Sequence, residues 1–306
     1  MTWIHVISFA AYLIFPVIFI FIIFKSRPRS FRIWLFNTIL IVMYTFDLYL
    51  TGNWAIALGY YFRYFIVVFS VIAVVKSYRA ISPTCTIKSK WKATTSLLVQ
   101  LIFIAIFAIK ATYVLKSFFI ECESVALCYP LKNGNYFVAH GGKTLILNHH
   151  HPVSAQKYAM DILQLNAFGL RSRKLWPTQL KDFCIYNAEI YSPCSGIVTK
   201  VIDEYEDLTP GTMDSSHIAG NYLIISNPQT GVSVFLAHLK KGSIKVCEGD
   251  LVKENDIIAQ VGNSGNTSEP HLHLHAFKTE TGDPLSLAEG IAIKFENKCL
   301  IRNSTF

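Results

Sequence analysis

Four long apolar runs crowd the first 117 residues, at about Trp3 to Phe24, Ile33 to Leu50, Leu58 to Val75 and Ser96 to Lys116. Each approaches the ~20 residues an α-helix needs to cross a bilayer core, and a backbone in lipid must satisfy its polar groups within its own segment. This half is therefore expected to be an α-helical bundle of about four transmembrane spans (1–117), followed by a second domain (118–306). The first run has no basic leader and no small-residue cleavage site, and its cations come after the apolar stretch, so it is expected to stay as an anchor.

Charge divides along the same line. Residues 1–117 carry twelve Lys/Arg against one acid, Asp47, whereas 118–306 carry sixteen Lys/Arg against nineteen Asp/Glu. The formal charge of +8 thus belongs to the apolar half, and the second half has no cationic stripe for tracking phosphates, which argues against a nucleic-acid partner. Lys25, Arg27, Arg29 and Arg32 follow the first run, and Lys76, Arg79, Lys88, Lys90 and Lys92 separate the third from the fourth. Thr51-Gly52-Asn53, between the second and third, has no cation. Because basic loops stay in the cytoplasm, both termini are expected on the outer side of the plasma (inner) membrane, with 118–306 periplasmic or extracytoplasmic. Arg63 and Lys110 fall toward the outer ends of their runs and are expected to snorkel to the interface.

Beyond Tyr129-Pro130-Leu131, short β-branched and apolar runs recur between Gly, Pro and Asn signals: Tyr136 to Ala139, Tyr158 to Leu163, Gly196 to Val201, Tyr222 to Ser226, Val232 to Ala237, Ile257 to Val261 and Leu272 to Phe277. That spacing predicts a mainly antiparallel β domain with few helices. Gly262 to Asn266 is expected to be a hairpin turn, and the acidic run Asp203, Glu204, Glu206 and Asp207 a solvated loop. Six of the seven cysteines lie in this half, an even number that permits disulfides, with Cys122 and Cys128 the first pair to consider. No Cys-x-x-Cys is present, which argues against a cysteine zinc cluster.

Nine of the ten histidines also lie there. In Pro270-His271-Leu272-His273-Leu274-His275 three imidazoles alternate with leucine, so a strand would set them on one face, neighbours about 6 to 7 Å apart. Such a face can offer a metal ligand and, beside it, a base. Asp161 stands between apolar Met160 and Ile162, His149-His150-His151 forms a cluster upstream, and His238 ends Val234-Phe235-Leu236-Ala237-His238. Each alone has an ordinary explanation as a solvent-facing or strand-end residue. Together they are far more specific, since a zinc hydrolase needs about three ligands and a proton acceptor of these residue types.

Ala237-His238-Leu239, Gly249-Asp250-Leu251-Val252, Val261-Gly262-Asn263-Ser264-Gly265-Asn266-Thr267 and Pro270-His271-Leu272-His273 resemble, in order, the carboxyl half of the lysostaphin-type (LytM-like) zinc endopeptidases that cut peptide cross-links in bacterial cell walls. Ser192-Pro193-Cys194-Ser195-Gly196-Ile197-Val198 resembles the segment that opens that domain, and the likeness spans about 129–280. The resemblance implies a duplicated-hybrid-motif β fold, Zn2+ as cofactor, Asp161 and His273 as ligands, His271 as general base for the attacking water, and His238 as a second imidazole that stabilises the oxyanion. The usual His-x-x-x-Asp motif would place a histidine at 157, where this chain has Lys157. Asn148-His149-His150-His151 followed by Gln156-Lys157-Tyr158-Ala159-Met160-Asp161 resembles a membrane-anchored branch instead, which makes His150 the third ligand, with His149 and His151 as alternatives. His275 lies one step beyond the ligand; a structural or solvent-facing place is expected for it, with a supporting role to the ligand or a place in the substrate groove as the alternatives. The expected function is hydrolysis of peptidoglycan peptide cross-links by a bilayer-anchored enzyme. The alternatives are a noncatalytic wall-binding or hydrolase-activating domain of the same fold, and a zinc peptidase with another peptide substrate.

Overall fold

The computed structural model of the chain describes residues 10–82, 90–119, 121–278 and 288–306. The chain forms two compact units, Met1–Leu115 and Lys116–Phe306. The start of the first apolar run, Cys85 and Lys88 lie outside the described residues.

The first unit is helical: α1 (Phe15–Lys25, after a π turn at Ala10–Ile14), α2 (Phe31–Thr51), a single turn at Trp54–Ala57, α3 (Phe62–Arg79) and α4 (Lys90–Phe119), whose last turn runs into the second unit. Pro16 sits in the first turn of α1, where its missing N–H costs nothing, and the Ser30 hydroxyl caps α2 by accepting from Ile33 N at 3.4 Å. Gly52 ends α2 because the chain doubles back there: a Cβ would lie 2.6 Å from Leu48 O and 2.8 Å from the Trp54 ring. Phe31–Thr51 and Thr94–Phe119 are long and apolar enough to cross a membrane; the apolar stretch Ala10–Lys25 is shorter, and α3 carries Arg63, Lys76 and Arg79 within 18 residues.

The two cations expected to snorkel both have partners within this unit. Arg63 is 7% exposed, its guanidinium stacked on the rings of Tyr49, Tyr60 and Tyr64 at 4.4, 4.1 and 5.0 Å and donating to the Tyr60 and Tyr64 hydroxyls. Lys110 pairs with Asp47, the lone acid of this half, at 2.7 Å. Aromatic faces, phenol oxygens and a carboxylate supply what interfacial water would otherwise supply.

The second unit is mainly β sheet. Its strands are β1 (Ser124–Ala126), β2 (Asn135–His140), β3 (Met160–Leu165), β4 (Glu189–Tyr191), β5 (Gly196–Ile202), β6 (Asn221–Asn227), β7 (Val232–Leu239), β8 (Leu251–Val252), β9 (Ile257–Gln260), β10 (Leu272–Lys278) and β11 (Glu289–Lys294). Nine form one sheet in the order β1-β11-β10-β7-β6-β5-β8, with β3 against the start of β10 and β2 beyond it, while β4 and β9 pair separately. Every pairing is antiparallel except β1 with β11.

Alternation along β10 fixes what each face does. Leu272, Leu274 and Ala276 enter the main core with Met160, Ile162, Val234 and Leu236, each fully buried large side chain contributing about 1.5–3 kcal/mol. The opposite face carries the histidines, and beside them Phe235, Ala237 and Phe277 form a smaller apolar cluster. Register then brings the site together, because His273 lies opposite Asp161 of β3 on one side and Ala237 of β7 on the other.

Three local expectations change. Gly262 to Asn266 is no hairpin turn, since β9 and β10 pair with different strands and the segment crosses between sheets. It is pinned there by contacts far away in sequence: Gly262 N donates to His238 O, Asn266 N to Ile218 O and Asn221 N to Ser264 Oγ. The acidic run is not merely solvated, for Asp203 accepts from Gly242 N and Asp207 accepts from the Tyr186 hydroxyl and Asn263 N, clamping loops together. The six described cysteines are free; Cys128 Sγ donates to Glu254 rather than bonding Cys122.

Candidate metal centre

Asp161 is the hub of the site. It is 6% exposed, and His150 Nε2 lies 3.0 and 2.9 Å from its two oxygens, His273 Nδ1 3.0 Å from Oδ1 and His271 Nε2 3.6 Å from the same oxygen. Burial works against ionisation of Asp161, but the charges of His271 and His150 and hydrogen bonds from His150 and His273 outweigh it and hold the carboxyl well below the usual carboxylate range. One atom from each of His150, Asp161 and His273 falls within 4.8 Å of the others, a group able to hold a metal ion. Two imidazoles and one carboxylate suit zinc, which takes nitrogen and oxygen ligands at about 2.0–2.2 Å. Burial also holds His273 below its ordinary range although Asp161 opposes this, so its ring is neutral and has a lone pair to give.

The turn 148–151 places the upstream histidines differently. Asn148 is fully buried; its amide donates to the carbonyls of Gly142, Lys157 and Ala159, and its oxygen accepts from His150 N. This bracket ties the turn to the chain leading into β3 and aims His150 at Asp161. His149 turns toward His140, with ring centroids 4.2 Å apart, and His151 donates from Nδ1 to Lys157 O. Lys157 points its ammonium over the Tyr158 ring, at 5.6 Å.

His140, His149 and Asp161 form a second close group. Arg302 donates to His140 Nδ1 at 2.6 Å, so a neutral His140 carries its proton on Nε2 and has no lone pair left for a cation. Burial pushes this imidazole down to about 3, which keeps it neutral. The group therefore backs the Asp161 cluster rather than competing with it for a metal.

The other two imidazoles are fixed by backbone. His271 immediately precedes β10, and its Nδ1 donates to Glu269 O at 2.9 Å and lies 3.1 Å from Thr267 Oγ1, which turns Nε2 toward Asp161. Glu269 is held in turn by Arg171, whose Nε reaches both carboxylate oxygens at 2.9 and 2.7 Å. His238 ends β7 in the left-handed region, φ +61°, with its ring centroid 4.7 Å from that of His271. Its Nδ1 donates to Ser264 O at 2.9 Å, so the neutral ring offers Nε2 as an acceptor. Burial and the neighbouring His271 and His273 keep His238 neutral. An oxyanion needs a donor, so the expected oxyanion role requires His238 to gain a proton first. Gly220 underlies this corner: at φ +57°, a Cβ there would fall 2.3 Å from the Ser264 carbonyl.

Asn148, His140, Arg302, Arg171, Glu269 and Ser264 were not singled out as site residues from the sequence. Only Asn148, in its Asn-x-His context, and Ser264, within the 261–267 motif, carried a signal; Arg171 and Glu269 stand 98 positions apart and His140 and Arg302 162 apart, distances no local pattern spans.

Residues 182–285, about a third of the chain, match the model of peptidase family M23. The matched segment contains His238, His271, His273 and His275; His150 and Asp161 precede it. No curated protein matches the chain significantly. Similar solved structures include a zinc-containing peptidase from Vibrio cholerae (26% identity over 39% of this chain and 27% of that one, TM-score 0.25) and LytU (28% identity, 35% and 65%, TM-score 0.27). Another is the catalytic domain of the antimicrobial peptidase lysostaphin from Staphylococcus simulans (18% identity, 38% and 81%, TM-score 0.25). The chain thus spans 27% and 65% of the lengths of the first two.

Proposed function

We propose that the protein is a zinc metalloendopeptidase, anchored by about four membrane spans, that hydrolyses peptide cross-links of peptidoglycan on the outer side of the plasma membrane. The observation that carries this reading is the convergence of His150, His273 and His271 nitrogens on one buried, ionised carboxylate, Asp161. The M23 match over 182–285 supports the peptidase class, and the apolar helices Phe31–Thr51 and Thr94–Phe119 support anchoring.

In this reading His150 Nε2, an Asp161 oxygen and His273 Nδ1 hold the ion. Zinc, when bound, supplies Lewis acidity that makes water nucleophilic near neutral pH and draws charge from a carbonyl. His271, its Nδ1 proton committed to Glu269 O, takes a proton from the attacking water at Nε2 and returns it to the leaving amine. His238, neutral and held through Nδ1 by Ser264 O, orients that water through Nε2. Arg171 and Glu269 keep the 267–271 turn, and with it His271, in place.

Incubating the full-length protein in detergent with purified peptidoglycan tests this, by counting new amino termini and identifying released muropeptides. The expected result is cross-link cleavage that His271→Ala abolishes while zinc is retained. A zinc-loaded protein that leaves wall peptides intact but cuts other peptides would reassign the substrate, and one inert on all peptides would favour a noncatalytic binding domain.

A further inference from the structure

His275 is 1% exposed on the histidine face of β10, and its place there is not explained by packing alone. Its Nδ1 lies 3.0 Å from His273 Nε2, while His273 Nδ1 lies 3.0 Å from Asp161 Oδ1, so His273 is held at both ends. The His275 ring is fixed in turn, stacked on Phe235 with centroids 4.7 Å apart and leaning on Phe277 at 5.6 Å. Its other nitrogen, Nε2, is buried with no hydrogen-bond partner among the described residues.

A neutral imidazole has one proton to place. With that proton on Nδ1, His273 donates to Asp161 and offers a cation nothing. With it on Nε2, the Nδ1 lone pair is free, and Nε2–H requires an acceptor in a buried site. His275 Nδ1 is placed to be that acceptor. It can play the part only by carrying its own proton on Nε2, the atom that has no partner. A leucine or phenylalanine would fill this space without leaving a buried polar atom unpaired. The imidazole is therefore held there at a cost, and the one bond it makes among the described residues is to His273.

We propose that His275 is a positioning residue for the metal centre: it fixes the tautomer and ring angle of His273 so that Nδ1 is presented to the ion beside Asp161. The inference rests on the zinc reading above. It adds a reciprocal movement of protons. In the metal-free pair His275 donates from Nδ1 to His273, and His273 donates from Nδ1 to Asp161. In the loaded pair both protons stand on Nε2. Each ring keeps one proton throughout, so the exchange neither takes up nor releases any.

The test uses full-length protein in detergent micelles, with zinc affinity measured against a competing chelator in wild type, His275→Phe and His275→Gln. His275→Phe fills the space without an acceptor and is expected to weaken zinc binding about 10- to 100-fold, the usual effect of losing a ligand's outer partner, while its metal-free thermal unfolding stays at or above that of wild type. His275→Gln, whose amide oxygen can accept from His273, is expected to recover most of the affinity. Equal zinc affinity in His275→Phe and wild type, or equal weakening in both variants, would overturn the proposal. Should the variants fail to fold, 15N spectra of histidine-labelled wild type decide: zinc should convert His275 Nδ1 from the protonated to the unprotonated type, and a loaded His275 still protonated at Nδ1 overturns the assignment. A wild type that binds no zinc fails the zinc reading itself, whereas a wild type that binds it with an indifferent His275 fails only this inference.

Discussion

Breaking the Arg171–Glu269 pair tests how the general-base candidate is held. Arg171 is 4% exposed, lies over the Phe183 ring at 5.8 Å, and binds both oxygens of Glu269, itself 14% exposed. Arg171→Met leaves a shielded carboxylate without its counter-ion. Such one-sided losses cost about 3–5 kcal/mol, a third or more of the stability of an ordinary domain at about 5–15 kcal/mol. Arg171→Met combined with Glu269→Met removes both charges and should restore stability to within about 1 kcal/mol of wild type, because replacing a buried pair by apolar groups is often neutral. Hydrogen exchange of peptides covering Val232–Leu239 and Leu272–Lys278, followed across a urea series in the full-length protein, reads the unfolding of this unit. Activity should not follow stability. Glu269 O accepts from His271 Nδ1, so the double variant, though stable and zinc-loaded, should lose about 10- to 100-fold in kcat as the 267–271 turn loosens. A single variant costing under about 1 kcal/mol, or a double variant no more stable than the single, would refute the reasoning.

Among the upstream histidines, His150→Ala should lower zinc affinity at least about 100-fold by chelator competition, as a lost ligand should, while His149→Ala and His151→Ala stay within a few-fold of wild type. Acid should destabilise the metal-free second unit: His140, held at about 3, and His238, His273 and His275, all lowered by burial, refuse protons that the unfolded chain accepts near pH ~6.5. Their contribution is complete above that pH and is lost as pH falls toward the folded values, at up to ~1.4 kcal/mol per pH unit for each, which urea titrations between pH 7 and 5 would measure; a pH-independent midpoint would contradict it. Gly220→Ala, at a left-handed position against the Ser264 carbonyl, should cost more than about 1 kcal/mol by denaturant midpoint and reduce turnover, since Ser264 O holds His238.

What could be read from the sequence is what depends on local period. Alternation in 271–275 implies one face for three imidazoles and the other for Leu272 and Leu274, and in the fold those leucines line the core while the histidines face Asp161 and Phe235. Alternation around Asp161 works the same way. Features set by distant pairing were not legible: β1 and β8 are two or three residues long, Gly262 to Asn266 looks like a turn until its partners at 218–221 and 238 are known, and the His140–Arg302 contact joins β2 to the chain's last turn. The resemblance already favoured His150 over His149 and His151; what no local pattern showed is the Asn148 bracket to the carbonyls of 142, 157 and 159 that aims the turn. Arg63 and Lys110 make the same point in the helical unit, where three tyrosines and Asp47 reach them from other turns and helices.

The most direct test of the central claim is a structure of the full-length protein purified with zinc, with anomalous scattering recorded on either side of the zinc absorption edge. One peak is expected, about 2.0–2.2 Å from His150 Nε2, an Asp161 oxygen and His273 Nδ1, with His271 Nε2 near but unbound. No peak at Asp161, or one held by His140 and His149 instead, would contradict the account.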